Sequence, residues 1–480
     1  MLLDWRFAPF GLIVCLQLVT SACSSRVTTN GVSVTPETAA SPRPEPASDC
    51  SLIAEPGDPV AIVGVGERIN AANAPRPANE SERLLFRQLY ETLVRVDCNG
   101  QVGPGLAASW RLDADGRAWI VSLRENARFD DGTPVTAADV RASWTRDGMS
   151  TELRPDVSRL VQSVVPVNER DLAITLRASP VDAPLALAQT DLAVARPAAD
   201  SPWPLGTRSS RVASPPAGDA LPPVIVLDRE GLSSVRFLVA RADPRDLLDE
   251  GVDLLLTRDA AALEYAATLS QFQSAPLAWH RTHVLLIPGR SSTSPALSDE
   301  ARQALADDAV RGEARGARGP FWWEEQPSCE FARSPLRGES SLTSEIVYDA
   351  DDAAARDLAE RLVALAGASD LATAAFRDAL LPDRPRRTYR RATGLTGDAL
   401  ARARRRGNHA GYIMAVESRP LDPCRELQVL AEGAPWLDPE TIVPLVDTRL
   451  HAIVRRGRSA VTAEWDGGLL LAPGTVAEKR

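Results

Sequence analysis

Between residues 118 and 144 the hydrophobic period changes from two to 3.6, and no other stretch constrains the fold as strongly. In AWIVSLR (118–124), Trp119, Val121 and Leu123 alternate with Ile120, Ser122 and Arg124, the pattern of a half-buried strand. In RFDDGTPVTAADVRASW (128–144), Asp131 and Gly132 form a turn pair and Pro134 stops strand pairing. Thr136 with Asp139 three residues on reads as a helix N-cap, and Val140 and Trp144 then lie one helical turn apart. The aspartates Asp130, Asp131 and Asp139 are therefore assigned to a turn and a cap. A calcium loop would need oxygen ligands at alternate positions and a glutamate at the twelfth, and this run lacks them, so no metal is expected there.

The same two periods recur along the chain. PVAIVGV reads as a first strand, and DLAITLR (171–177) as another, with Asn168 in the turn of its hairpin. NESERLLFRQLYETLV (79–94) places Leu85, Leu89 and Leu93 on one helical face behind a cap made by Asn79 and Glu82. SEIVYDADDAAARDLAERLVALAG runs from a strand into a helix bearing Leu358, Leu362 and Leu365, closed by Gly367. DALARARRRGNHAGYIMAVES is a basic helix followed by a strand from about Tyr412 to Val416. Strands that alternate with helices over 480 residues predict an α/β protein of two lobes. The Pro- and Ser-rich segment 198–223 is expected to be a loop.

Residues 1–22 combine Arg6, an apolar run from Phe10 to Val19 and small residues before Cys23, the pattern of a signal peptide. TSAC resembles the lipobox of bacterial lipoproteins, in which the cysteine, here Cys23, is lipidated. Residues 24–49 are rich in Ser, Thr and Pro and read as a disordered tether behind that anchor, so that 23–49 is a linker and folded sequence begins near Cys50. Four cysteines then remain, and their positions suggest disulfides Cys50 to Cys98 in one lobe and Cys329 to Cys424 in the other.

A net charge of −10 argues against nucleic acid as a partner. Lys479 is the only lysine, which removes P-loop, Schiff-base and Ser-Lys chemistries. The four histidines, His280, His283, His409 and His451, are scattered, with no HExxH and no GxSxG, so neither an enzyme nor a metal site is expected and no cofactor is implied. His280 and His283 read as ordinary, partly exposed residues ahead of a VLLI strand. Basic runs at 384–391 and 402–406 read as solvated or docking faces, and FWWEEQ (321–326) as core or as the apolar wall of a pocket.

Residues 89–146, LYETLVRVDCNGQVGPGLAASWRLDADGRAWIVSLRENARFDDGTPVTAADVRASWTR, resemble the signature region of the family 5 extracellular solute-binding proteins of ABC transporters. That group includes the periplasmic oligopeptide, dipeptide and nickel binders. Weaker similarity follows in EGVDLLLTRD, RTHVLLIP, ARQALADDAV, SRPLDP and IVPLVDTRLHAIV. The resemblance implies a bilobal, periplasmic-binding-protein-like α/β fold with two lobes joined by a hinge: residues 50–282 and 441–480 in lobe I, and 283–440 in lobe II. It also implies a monomeric receptor on the cell-envelope face that captures a peptide-like or anionic small solute. That receptor would be tethered to the membrane by its lipid and would deliver the solute to ABC permease and ATPase subunits. The alternative is a divergent envelope lipoprotein that no longer transports and has an interaction or sensory role.

Peptide binders of the family carry a tryptophan and, three residues later, an aspartate that pairs with the peptide amino terminus. Here Val416 and Arg419 stand in those places, so Arg419 either favours an anionic group or faces solvent. Asn70, Tyr90, Trp279, Glu417, Arg419 and Trp436 are the ligand-binding candidates.

Overall fold

Two long antiparallel strands, Phe272–Leu286 and Ile442–Arg455, run side by side through the computed structural model and carry one continuous sheet from one hydrophobic core to another. The chain divides into Met1–Ala47 and Ser48–Arg480. The structure describes residues 50–471 apart from 53–56, 147–149, 178–182, 214–223, 230–231, 242, 291–296, 311–313, 317–342, 368–388, 418–424 and 460. The signal-peptide and anchor assignments, Cys329, Cys424, Arg419 and FWWEEQ lie outside the described residues.

On one side of the long pair, Ile442–Arg455 takes up Leu254–Thr257 antiparallel, followed by the parallel strands Ile62–Val65 and Leu232–Val239. Val224–Arg229 and Ser210–Val212 then complete that edge. On the other side Phe272–Leu286 pairs with Gly411–Glu417, which is followed by the parallel strands Glu345–Asp349 and Arg391–Leu395. Val63, Leu254, Phe237, Val454 and the helix residues Leu84 to Phe86 share one core. Leu285, Ile346, Leu358, Leu362, Ile413 and Val443 share another. The fold is thus a bilobal α/β architecture whose sheet changes lobe along the two long strands.

Two strands of the signature region, Ala107–Leu112 and Trp119–Leu123, join Asp171–Leu176 and Val161–Pro166 in a separate four-stranded sheet, in that order. Val121 and Leu123 are buried as the alternation requires, and the Asn168 side chain accepts the N–H groups of Arg170 and Asp171 in the expected hairpin turn. Thr136 and Asp139 make the expected capping box ahead of the helix Ala137–Trp144. Asp131 accepts from the Thr133 N–H and hydroxyl and pairs with Arg196 at 2.9 Å. Gly132 supplies the left-handed turn at φ 83°, a conformation that other residues enter only at a cost.

Cys50 and Cys98 form the expected disulfide across 48 residues of sequence.

One helix is shorter than its periodicity predicts. The segment 79–94 begins as expected, with Asn79 accepting from the Glu82 N–H, but the helix is Glu80–Arg87 and Val94–Val96 is a strand. Tertiary pairing takes the backbone that would have continued it. The Leu89 carbonyl accepts both the Thr207 and Arg208 N–H groups, and the Glu91 N–H donates to the Thr207 hydroxyl. Gly206 makes this approach possible, since a Cβ there would lie 2.3 Å from the Leu89 oxygen. Leu85, Leu89 and Leu93 are all buried regardless. The helix Ala353–Gly367 buries Leu358, Leu362 and Leu365, and its Gly367 is the last helical residue rather than a left-handed cap.

Removing the Thr136 cap leaves the Asp139 N–H without its intramolecular acceptor. Thr136→Ala is expected to lower the unfolding free energy by about 1 kcal/mol in urea titrations, whereas a change below about 0.3 kcal/mol would mean that the capping box does not stabilise the fold.

Candidate ligand site at the lobe crossing

The sheet register slips midway along the two long strands, between the stretches that serve the two cores. Shifts fall between Pro276 and Trp279, between Trp279 and Arg281, and between His283 and Val284. Pro276 has no N–H to donate, and the middle of its strand is partly exposed while Val284 to Leu286 are buried. Polar side chains from this irregular stretch meet others from both lobes.

Asp352 organises the first group. Its Oδ1 accepts the Ala355 N–H and so caps the helix Ala353–Gly367, and its Oδ2 takes Arg281 Nη2 at 2.7 Å and lies 3.2 Å from His283 Nε2. The other nitrogen of His283, Nδ1, lies 3.4 Å from the Thr448 hydroxyl on the second long strand. Burial pushes the Asp352 pKa up, but Arg281 and His283 outweigh it and hold the carboxyl far below the usual range. His283 is fully buried, contrary to the exposure expected from sequence. An imidazole with a carboxylate on one nitrogen and a hydroxyl on the other can be enclosed without leaving a polar atom unpaired.

Glu80 organises the second group, on the helix Glu80–Arg87. Its carboxylate lies 3.6 Å from Arg83 Nε, 3.6 Å from Arg258 Nη2 and 3.4 Å from His280 Nε2. The Ala278 carbonyl, 2.9 Å from His280 Nδ1, can only accept, so Nδ1 carries a proton. Nε2 then accepts from Arg258 Nη2 at 3.3 Å when the ring is neutral, and donates to Glu80 when it is charged. Burial again raises the Glu80 pKa, and Arg83, His280 and Arg258 together bring it well below the usual carboxylate range.

Arg83 Nη2 reaches Glu417 Oε2 at 2.9 Å, which ties the helix of one core to the end of a strand in the other. Beside this network Trp279 sits between two guanidiniums, Arg315 at 4.6 Å and Arg449 at 4.4 Å from its ring centroid. Arg315 also pairs with Asp447 at 3.2 Å, and Asp447 accepts from the Thr282 hydroxyl. Arg449 has no carboxylate partner among the described residues, and its Nε is buried without a hydrogen bond.

Of the residues nominated from sequence, Trp279 and Glu417 lie at this crossing. Asn70 is exposed, caps the turn Ala71–Asn73 and gives its N–H to Glu82. Tyr90 is buried in the first core, edge-on to Phe86, with its hydroxyl on the Pro204 carbonyl at 3.3 Å. Trp436 packs on Tyr412 and donates to the Arg404 carbonyl. Arg419 lies outside the described residues. Sequence reasoning did not nominate Glu80, Arg83, Arg258, Arg281, Asp352 or Arg449. The available signal was a charged residue in or beside an apolar strand, as in LLLTRD and HRTHVLLI.

Residues 101–209 match the profile of the bacterial extracellular solute-binding proteins, family 5 Middle. Over 62 residues the chain is 45% identical to the periplasmic murein peptide-binding protein MppA of Escherichia coli K12, a match covering 13% of this chain and 11% of that protein. Over 81 residues it is 37% identical to the periplasmic oligopeptide-binding protein OppA of Salmonella typhimurium LT2, covering 17% of this chain and 15% of that one. Most of each curated relative therefore lies outside the matched stretch. In structure, the chain is similar to the dipeptide-binding protein from Pseudoalteromonas sp. SM9913 in complex with Met-Leu. The TM-score is 0.61 at 13% identity, over 86% of this chain and 99% of that one, a likeness of fold.

Asp352→Asn should destabilise the chain by about 3 kcal/mol at pH 7, because it strips a buried Arg281 of its counter-charge. A carboxyl with a depressed folded pKa contributes stability that is complete above its unfolded value of about 3.9 and is lost as pH falls towards the folded value. The gap between Asp352→Asn and the parent chain should therefore narrow between about pH 5 and pH 2 in denaturant titrations. A gap independent of pH would mean that the ion pair contributes nothing.

Proposed function

We propose that this chain, which belongs to the family 5 bacterial extracellular solute-binding proteins, is the solute-capturing component of an ABC importer and closes its lobes on a small solute bearing an anionic group. The observation that carries this reading is Arg449. At a crossing where Glu80, Arg83, Arg281, Asp352 and Glu417 are paired among themselves, this guanidinium has, among the described residues, the face of Trp279 beside it and no carboxylate. A carboxylate or phosphate is the group that a guanidinium recognises best, by charge-assisted and bidentate hydrogen bonds. The indole would pack against the apolar part of the same solute.

MppA and OppA carry murein peptide and oligopeptide in their names. A peptide-like solute offering its carboxylate to Arg449 fits this chain, and no cofactor is needed. We place the change of lobe at residues 276–282 and 447–451, where the register slips, whereas the resemblance implied boundaries at 282/283 and 440/441. Closure is favourable only when solute contacts both sides of that seam, so solute shifts a hinge equilibrium that already exists. Permease and ATPase subunits then act as partners and supply the nucleotide hydrolysis, since the single lysine of this chain, Lys479, does not stand in a P-loop run. Export behind residues 1–22 and lipidation at Cys23 would keep the receptor at the membrane.

One observation favours the second reading, an envelope protein that has lost transport. The Arg83 to Glu417 pair joins the two cores through the chain's own side chains.

The two readings separate in a binding experiment. Peptides with a free carboxy terminus should raise the melting temperature of the purified chain, amidated versions should not, and Arg449→Ala or Trp279→Ala should weaken binding about tenfold or more. Equal stabilisation by free and amidated peptides would sink the anionic-solute reading, and none by any solute would favour the second.

A further inference from the structure

A second uncompensated guanidinium lies within the first lobe. Arg208 follows Thr207 on the segment that Gly206 brings against Leu89, so its backbone is fixed by the Leu89 carbonyl. Around its side chain the other arginines are paired. Arg124 makes a two-point contact with Glu91, at 3.1 and 2.8 Å, Arg87 pairs with Glu464 and Asp466, and Arg95 with Glu464. Among the described residues, these four guanidiniums face the three carboxylates of Glu91, Glu464 and Asp466. Arg208 has no ion pair or hydrogen bond to any described side chain, and its Nε is buried without a partner.

The same guanidinium lines two cavities. One, of about 300 Å³, is bounded by Arg124 with its partner Glu91, by Gln88, Thr207, Ser209 and Ser210 on its polar side, and by leucines such as Leu227 and Leu471 on its apolar side. The other, of about 40 Å³, continues past Arg208 to Arg83, Arg87 and Arg95. The larger is at the lower end of the range for small-molecule sites, and it combines a few convergent polar groups with an apolar wall. Burial pushes the Arg208 pKa down to about 10, the neighbouring Glu91 only partly opposing this and Arg95, Arg87 and Arg124 adding to it. A half-buried cation among cations, its Nε enclosed, is costly until an anion joins it.

We infer that Arg208 is the anchor of a second ligand site, inside the first lobe and apart from the lobe crossing, that takes a small oxyanion, a carboxylate or a phosphate. Arg208 would hold the anion directly, with the hydroxyl-bearing residues Thr207, Ser209 and Ser210 beside it. Arg124 would stay on Glu91 and set the field rather than bind. The site does not depend on the solute proposed for the crossing.

Calorimetric titration of the full chain with inorganic phosphate and with succinate, at constant ionic strength in chloride, tests this. Binding by at least one of the two is expected, phosphate alone indicating a phosphate site and succinate alone a carboxylate site. The titrations are repeated in the Arg449→Ala chain, so that the anion site proposed at the crossing does not contribute, and there Arg208→Gln should raise the dissociation constant at least tenfold. In the unsubstituted chain the Nε–H resonance of Arg208 should move on titration, so the test survives if Arg208→Gln does not fold. An unmoved resonance, no binding of either anion at millimolar concentration, or binding lost in Arg449→Ala and kept in Arg208→Gln would overturn the proposal.

Discussion

Everything at the centre of this protein depends on one pairing, the antiparallel ladder between Phe272–Leu286 and Ile442–Arg455. Each strand is long enough to belong to two cores in turn, and each must therefore pass through a stretch that neither core covers. Regular pairing would carry an apolar face straight through that gap. Instead the ladder slips three times, next to a proline that cannot donate, and the residues delivered there are Trp279, His280, Arg281, Thr282 and His283. A bulged register re-aims side chains and lets a strand bend, which are the two properties a lobe crossing needs.

Charges in such a place are tolerated only if they neutralise one another, and the way they do so fixes the local architecture. Asp352 serves three donors at once: the helix N-terminus that it caps, Arg281 and His283. Its negative charge also complements the dipole of the helix Ala353–Gly367. Removing any one member would leave another buried and unpaired, so the group behaves as a unit. Glu80 plays the corresponding part on the helix Glu80–Arg87, and Arg83 connects the two halves through Glu417.

Local features of the fold were legible wherever neighbouring residues decide the outcome. The alternation of 118–124, the Thr136 and Asp139 box, the Asn168 turn and the basic helix ending at Gly407 all follow from interactions within a few residues. Where a distant segment intervenes, periodicity misleads. Leu89 and Leu93 continue the helical stripe of 79–94, yet the backbone between them pairs with Thr207 and Arg208, which no local pattern announces. The burial of His283 was hidden for the same reason, since its partners Asp352 and Thr448 are 69 and 165 residues away. Candidates chosen by residue type fared unevenly on the same grounds: an aromatic such as Tyr90 or Trp436 is as useful to a core as to a cleft.

Pairing within the crossing makes its exceptions informative. A guanidinium on a flexible surface stays hydrated and costs nothing, but Arg449 has its Nε buried and its plane against Trp279, so part of its hydration is already lost. Closing two lobes over such a group removes more water and, without an anion, makes closure less favourable. With an anion in contact, the same desolvation strengthens the pair, because the interaction gains as the local dielectric falls. On the function proposed for this chain, an unmatched cation at the crossing would oppose empty closure and favour filled closure, and this coupling would not require the remaining charges to rearrange.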